Sequence, residues 1–279
     1  MTAAGAGQEA LVAALRSEGL DTVEGAFAYG GGEDLIKPNL GARRRTRLSV
    51  TDADGLCHEL YLKRYGPEGL ADRLRRRWTY GRWCSPAGVE FANIRAARAA
   101  GVGTMREVLF AAEPVGPARG GRSHLVVTAV GGDAIERCGE DFLARHEGGP
   151  EAARLTERLA GLVREFHAVG YVHRDLYSSH VFLDEREDGF DLYLIDLARM
   201  FRPRWRCFRW RVKDLAQIKY SMPRRWVAKF WEAFLSDYLG GGDRSAALRY
   251  NRAIDRKVAS MRRRGQARRR RGAGGGKQT

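Results

Sequence analysis

The chain has 279 residues, of which 44% are apolar, and carries a formal net charge of +15. That apolar share suffices for a buried core and excludes wholesale disorder, and the length suits one two-lobed domain or two small ones. The charge calls for an anionic partner: a nucleotide, phospholipid headgroups, a phosphorylated glycan or nucleic acid.

Residues 5–16 read as a short peripheral amphipathic helix carrying Leu11, Val12 and Leu15. The chain's start lacks a basic segment and holds Glu9 in its apolar part, so no signal peptide is expected, and no run of about eighteen apolar residues suggests a membrane span. Gly30-Gly31-Gly32 is a break. Strand patterns follow between residues 34 and 65: Leu35-Ile36, a turn near Pro38-Asn39, a strand over 41–50, a turn at Asp52-Ala53-Asp54-Gly55, and a strand over 57–65. On the last strand Leu60, Leu62 and Arg64 share one side, and Tyr61, Lys63 and Tyr65 the other. Lys63 either points into a cleft towards phosphate oxygens or stands exposed on an edge strand.

Residues 67–88, rich in arginine with Trp78, Tyr80 and Trp83, read as a basic connecting loop or helix. Ser85-Pro86 opens a helix over 87–100, in which Glu90 either complements the helix N-terminus or pairs with Lys63. Strands over 105–112 and 124–130 enclose a Gly/Pro-rich loop. Thr128-Ala129-Val130 then runs into Gly131-Gly132, a flexible joint. An N-terminal extension (1–24), a β-rich lobe (25–130), a mainly helical lobe (131–260) and a basic, disordered tail (261–279) are expected, with a cleft between the lobes. The four cysteines, Cys57, Cys84, Cys138 and Cys207, lie far apart without a C-x-x-C pair, which suits a reduced cytosolic protein.

The organising stretch is residues 170–199, GYVHRDLYSSHVFLDEREDGFDLYLIDLAR. A helix ends at Gly170, and the triplet His173-Arg174-Asp175 opens a loop. Strands at Val181-Phe182-Leu183 and 192–195 flank the turn Asp188-Gly189, and the second ends at Asp196. Two carboxylates at the ends of one hairpin is what phosphoryl transfer needs: one meets the acceptor hydroxyl, the other holds Mg²⁺ on the nucleotide phosphates. Beyond it, residues 211–218 place Asp214 early in a helix. Trp226, Phe230, Phe234 and Tyr238 recur four apart on another, as a core stripe.

These motifs resemble the kinase-like superfamily, whose order is H-R-D-L-x-x-x-N, hairpin, D-F-G. Within it, HRDLYSSHVFL, LIDLAR, RWRVKDLAQIKYS, GARRRTRLSV, ELYLKRY and VEFANIRAARAAGVGTM resemble the lipopolysaccharide core heptose kinase family, with the Kdo kinases sharing the outline. The resemblance implies an α+β, bilobal protein-kinase-like fold using ATP and Mg²⁺. It makes Asp175 the catalytic-loop aspartate, Asp196 a metal ligand, Lys63 the phosphate-pairing lysine, Glu90 its partner and Asp214 a brace for the loop. Gly41, Arg43, Thr46, Thr128 and Val130 are assigned to the nucleotide.

Three departures qualify it. His180 stands where protein kinases have a metal-binding asparagine, and either binds metal or hydrogen-bonds. A glycine-rich loop is absent: Ala42-Arg43-Arg44-Arg45-Thr46 follows Gly41, so arginines hold phosphate or else face solvent or lipid. Seventeen residues separate Asp196 from Asp214, too few for a long activation segment, which disfavours a protein substrate. The expected acceptor is lipid-linked core oligosaccharide at the cytoplasmic face of the inner membrane, whose anionic surface suits the basic residues. Rival readings are another small-molecule or protein kinase, a pseudokinase, or a nucleic-acid binder using the arginine-rich tail; the tail lacks the interleaved aromatics that last reading wants.

Overall fold

The computed structural model describes residues 3–35, 43–241 and 244–274. Its chain divides into two compact units, Met1–Val130 with Ile195–Phe201, and Gly131–Leu194 with Arg202–Thr279.

The first unit contains α1 (Ala3–Ser17), α2 (Val23–Ala28), β1 (Glu33–Asp34), β2 (Arg43–Thr51), β3 (Cys57–Tyr65), α3 (Leu70–Tyr80), α4 (Pro86–Ala99), β4 (Glu107–Ala112) and β5 (Ser123–Thr128). The strands form one antiparallel sheet in the order β1-β2-β3-β5-β4. The β2–β3 turn is set by Asp52, whose carboxylate accepts from Asp54 N and Leu56 N at 3.0 Å each and meets His58 Nε2 at 2.7 Å. Gly55, at φ 79°, supplies the left-handed residue that this turn requires.

Strand alternation gives the sheet two different faces. Leu48, Val50, Leu60 and Leu62 join Leu11, Leu15, Leu20 and Ala26 in one core. The first helix is therefore no peripheral ornament; Leu11 and Leu15 are fully buried, because the apolar face of β2 and β3 has to be covered. On the opposite face Lys63 and Tyr65 reach Glu90 of α4.

The second unit contains β6 (Asp133–Ala134), α5 (Ile135–Arg145), α6 (Glu151–Ala168), β7 (Val181–Arg186), β8 (Gly189–Leu194), α7 (Cys207–Ser221), α8 (Arg224–Leu239) and α9 (Arg244–Gly274). Strands β6, β7 and β8 make a small antiparallel sheet, and Val181↔Leu194 is the register pair nearest the loops that carry Asp175 and Asp196. The stripe on α8 is core, as its period requires: Trp226, Phe234 and Tyr238 are buried, with Trp231 beside them, while Phe230 is half-buried. Trp226 Nε1 donates to Thr156 of α6 at 3.0 Å, so burial leaves its polar atom satisfied. α7 begins at Cys207, a turn before the sequence pattern suggests, which puts Asp214 mid-helix rather than early. α9 continues through residues 261–274, into the stretch whose composition reads as a tail, and packs through Tyr250, Ile254 and Val258.

Candidate active site

In the first unit, the pleat of β3 and the second turn of α4 bring Lys63 and Glu90 together. Pro86 occupies the first turn of α4, and the Ser85 hydroxyl accepts from Gly88 N at 3.0 Å, so the helix start is well defined. The Lys63 ammonium donates to Glu90 Oε1 and the Tyr65 hydroxyl to Oε2; Glu90 is 0% exposed and Lys63 is 6% exposed. Lys63 is therefore not an exposed edge-strand lysine but a buried one paired with Glu90. Burial, and then the neighbouring Glu90 charge, push the Tyr65 hydroxyl well above its ordinary pKa. Tyr65 thus remains a neutral donor to the carboxylate.

Arg45 lies directly across from Lys63 in the β2–β3 register, and its guanidinium donates to Asp196 Oδ2 at 3.0 Å. Burial works against the Arg45 charge, but attraction to and hydrogen bonding with Asp196 outweigh it, and its pKa is raised. The turn bearing Asp196 is pinned by three hydrogen bonds from two side chains. Asn93 Nδ2 donates to Leu197 O and Met200 O at 2.8 Å each, and Tyr80 Oη donates to Met200 O at 2.9 Å. Asp196 itself is left-handed, at φ 60°. Aspartate tolerates that region better than most residues, and non-glycine residues held there concentrate at functional sites.

Sequence reasoning counted Arg45 among the arginines that hold phosphate or face solvent or lipid, but singled out Arg43 and Thr46 for the nucleotide. The missed signal was strand alternation: Arg43 and Arg45 pair with Tyr65 and Lys63, whereas Thr46 pairs with Leu62. Thr46 accordingly points the other way. Its buried hydroxyl donates to Asp34 Oδ1 at 2.5 Å and accepts from Arg64, leaving it engaged on the face away from Lys63. Arg43 is exposed, with its guanidinium 5.6 Å from the Tyr65 ring centroid. The Thr128 hydroxyl accepts from Arg106 N at 2.9 Å, and Val130 closes the first unit; Gly41 lies outside the described residues.

In the second unit, α6 ends in a turn at Gly170 (φ 87°), and the His173-Arg174-Asp175 loop follows. The loop's backbone is held by α7. Asp214, 0% exposed, accepts from His173 N at 2.7 Å and from Arg174 N at 2.9 Å. Gln217 accepts from Leu176 N at 3.0 Å and donates to Arg174 O at 2.9 Å. Arg174 is forced to φ 73°, a costly setting for a residue with a Cβ, and its guanidinium lies 5.5 Å from the Trp210 ring centroid. His173 is fully buried and stacks at 6.0 Å on His180.

Asp175 keeps a quarter of its side chain exposed, and Lys213 Nζ stands 3.9 Å from its Oδ1. Lys213 was not singled out from sequence. It precedes the bracing Asp214 and lies one helical turn before Gln217, a spacing that places it on the same side of α7. His180 Nδ1 lies 2.7 Å from Asp175 O, and since a carbonyl only accepts, Nδ1 is the donor. Beside this loop opens a cavity of about 930 Å³, lined by Tyr177, Ser179, Lys219, Arg224 and Arg262 among others. Ser178 ties its wall to the loop: its N donates to Ser221 Oγ, and its Oγ donates to Ser221 O, each at 2.8 Å.

Among the described residues no three histidine, cysteine or acidic side chains converge on one point. A Mg²⁺ ion delivered with a nucleotide needs no such cage, since one or two carboxylates, phosphate oxygens and water complete its shell. Asp196 offers the hard oxygen donor, and its pairing with Arg45 shows that it already attracts a cation.

The family model described as the lipopolysaccharide kinase (Kdo/WaaP) family matches residues 38–238. The lipopolysaccharide core heptose(I) kinase WaaP of Pseudomonas aeruginosa is 32% identical over 138 residues, which cover 47% of this chain and 51% of that protein. Its Escherichia coli namesake is 31% identical over 148 residues, covering 50% and 48% respectively. The alignments span about half the length of the curated relatives. A solved structure of WaaP in complex with acyl carrier protein superposes with a TM-score of 0.62 at 26% identity, over 88% of this chain and 95% of that one. The α+β fold is the protein-kinase-like one.

Proposed function

Because the chain belongs to the lipopolysaccharide kinase (Kdo/WaaP) family, we propose that it transfers the γ-phosphoryl group of ATP to a sugar hydroxyl, specifically of a heptose in the lipopolysaccharide inner core. The observation that carries this reading is the buried Lys63–Glu90 pair with Tyr65 on the same carboxylate. An ammonium so fixed is a preorganised cation, which is what a polyphosphate needs.

In the proposed reaction Lys63 and Arg45 neutralise the triphosphate, and Asp196 would hold a Mg²⁺ ion, whose charge would offset that developing on the leaving group. Asp175 orients the acceptor hydroxyl and takes its proton as oxygen bonds to the γ-phosphorus and ADP departs. Asp214 and Gln217 keep the Asp175 loop in place, so positioning and electrostatics supply most of the acceleration. We place the acceptor in the basic cavity beside Tyr177 and Ser179. Ten residues, 197–206, lie between Asp196 and the start of α7, which supports a glycan rather than a protein acceptor. A lipid-linked acceptor puts the enzyme at the cytoplasmic face of the inner membrane as a peripheral protein; no described helix is long and apolar enough to cross a membrane.

The test is phosphorylation of core oligosaccharide from a strain lacking this gene, followed by mass spectrometry. One added phosphate on a heptose is expected with the native chain. Asp175→Asn should lower kcat by about 10²–10⁴-fold and Asp196→Asn should abolish it, each with the fold intact. Native turnover by either variant, or phosphate on a sugar other than heptose, overturns the corresponding assignment.

A further inference from the structure

Helix α3 is inside out. Its inward side is polar: Arg73 is buried and donates to Gly116 O at 2.5 Å and Pro117 O at 3.2 Å. Arg76 pairs with Glu68 and donates to Cys84 O at 3.2 Å, and Tyr80 donates to Met200 O. Residues 73, 76 and 80 share one helical face. Gly120 lets the loop approach, since a Cβ there would sit 2.2 Å from Glu68 O.

The outward side carries an apolar row beside the exposed Asp72, Arg75 and Arg77. Leu70, Leu74 and Trp78 follow one another at four-residue spacing and are 48%, 49% and 80% exposed, with exposed Ala71 among them. An amphipathic helix of a protein bathed in water turns the other way, with its leucines inward and its arginines outward. Single exposed leucines need no explanation, but an aligned row opposite a buried arginine face does.

Cations border the row. Arg75, Arg77 and Arg82 are exposed around it; Arg75 pairs with Asp72, and the Arg77 guanidinium lies 5.3 Å from the Trp83 ring centroid. Two large aliphatic side chains, an outward tryptophan and a rim of arginines are the composition of a helix that lies in a bilayer interface, its apolar side among the acyl chains and its cations at anionic headgroups. At eleven residues the helix is too short to span.

We propose that α3 is a membrane-docking helix, inserting Leu70, Leu74 and Trp78 into an anionic lipid surface. The peripheral location suggested above rested on a lipid-linked acceptor and the basic residues at large; the structure assigns the contact to one element and makes it chiefly apolar. The inference does not depend on the kinase reading.

The experiment is flotation of the full chain with phosphatidylcholine vesicles, with and without phosphatidylglycerol, at low and high salt. Quenching of tryptophan emission by brominated lipid is read alongside. We expect binding to anionic vesicles that largely survives high salt, and quenching that Trp78→Phe sharply reduces. Leu74→Gln with Trp78→Gln should weaken binding at least tenfold at both salt concentrations. Arg75→Gln with Arg77→Gln should weaken it only at low salt. All four positions are exposed, so melting temperature should hold, and phosphorylation of a water-soluble acceptor should stay native. Asp175→Asn, by contrast, should lose turnover and still float, which separates this inference from the catalytic one.

Native flotation by Leu74→Gln/Trp78→Gln, or equal quenching in Trp78→Phe, overturns the proposal. So does a native chain that binds no vesicle but dimerises through the row, or one in which an acidic protein such as acyl carrier protein covers it instead.

Discussion

Replacing Asp214 by alanine tests how the His173-Arg174-Asp175 loop is built. Its carboxylate is fully buried and takes two backbone donors, His173 N at 2.7 Å and Arg174 N at 2.9 Å. Hydrogen bonds to a charged group contribute about 1.5–3 kcal/mol each, so two of them bring about 3–6 kcal/mol. The truncation also leaves two N–H groups without an acceptor and removes what holds Arg174 at φ 73°. Total stability of a folded domain is only about 5–15 kcal/mol, so this is a large fraction. Asp214→Asn should be nearly as costly, because its amide points a donor at one of the two backbone donors. Urea unfolding with linear extrapolation measures the loss, and kcat at fixed acceptor should fall on the order of 10²-fold as the loop relaxes. If Asp214→Ala loses under about 1 kcal/mol, below the lowest value assigned to a single such bond, the loop is held by something else and the reasoning fails.

Glu90→Ala strands the Lys63 ammonium in the interior and should cost about 3–5 kcal/mol, whereas Lys63→Met/Glu90→Leu should recover most of that stability and remain inactive; recovery of turnover in the double variant would refute the phosphate role. Asp52 has its pKa held below the ordinary 3.8, first by the hydrogen bond with His58 and then by backbone N–H groups of Leu56 and Asp54. A depressed carboxylate stabilises the fold fully above its ordinary value and loses that contribution as pH falls through the folded one. The stability gap between native chain and Asp52→Asn should therefore be flat at neutral pH and close only below 3.8; a gap that closes between neutrality and that value contradicts it. Arg224→Gln/Arg262→Gln, in the cavity beside the Asp175 loop, should raise KM for an anionic acceptor about tenfold with kcat little changed, and an unchanged KM would move the acceptor elsewhere.

Much of this protein is legible along the chain, because certain signals are local. The turn at Asp188-Gly189 and the alternation on either side define the hairpin, and that hairpin follows the His173-Arg174-Asp175 triplet and ends at Asp196 at a spacing that does not depend on the rest of the molecule. The helix opening at Ser85-Pro86 and the helical stripe on α8 are likewise local signals. What alternation could also have told, that Arg45 rather than Thr46 shares the Lys63 face, needed only the β2–β3 register.

Other features exist only once the chain is folded, since they arise between residues far apart in sequence. Whether Lys63 was an edge-strand lysine or a buried ion was open until α4 placed Glu90, twenty-seven positions later, against it. The role of the N-terminal helix depended on a sheet face with nothing else to cover it, and Asp214 became a brace because α7 carries it under a loop about forty residues upstream. The reversed polarity of α3 is the clearest instance. Composition reports only that arginine, leucine and tryptophan alternate there; which of them faces inward is settled by the carbonyl groups of a distant loop, which bind guanidinium and leave the leucines outside.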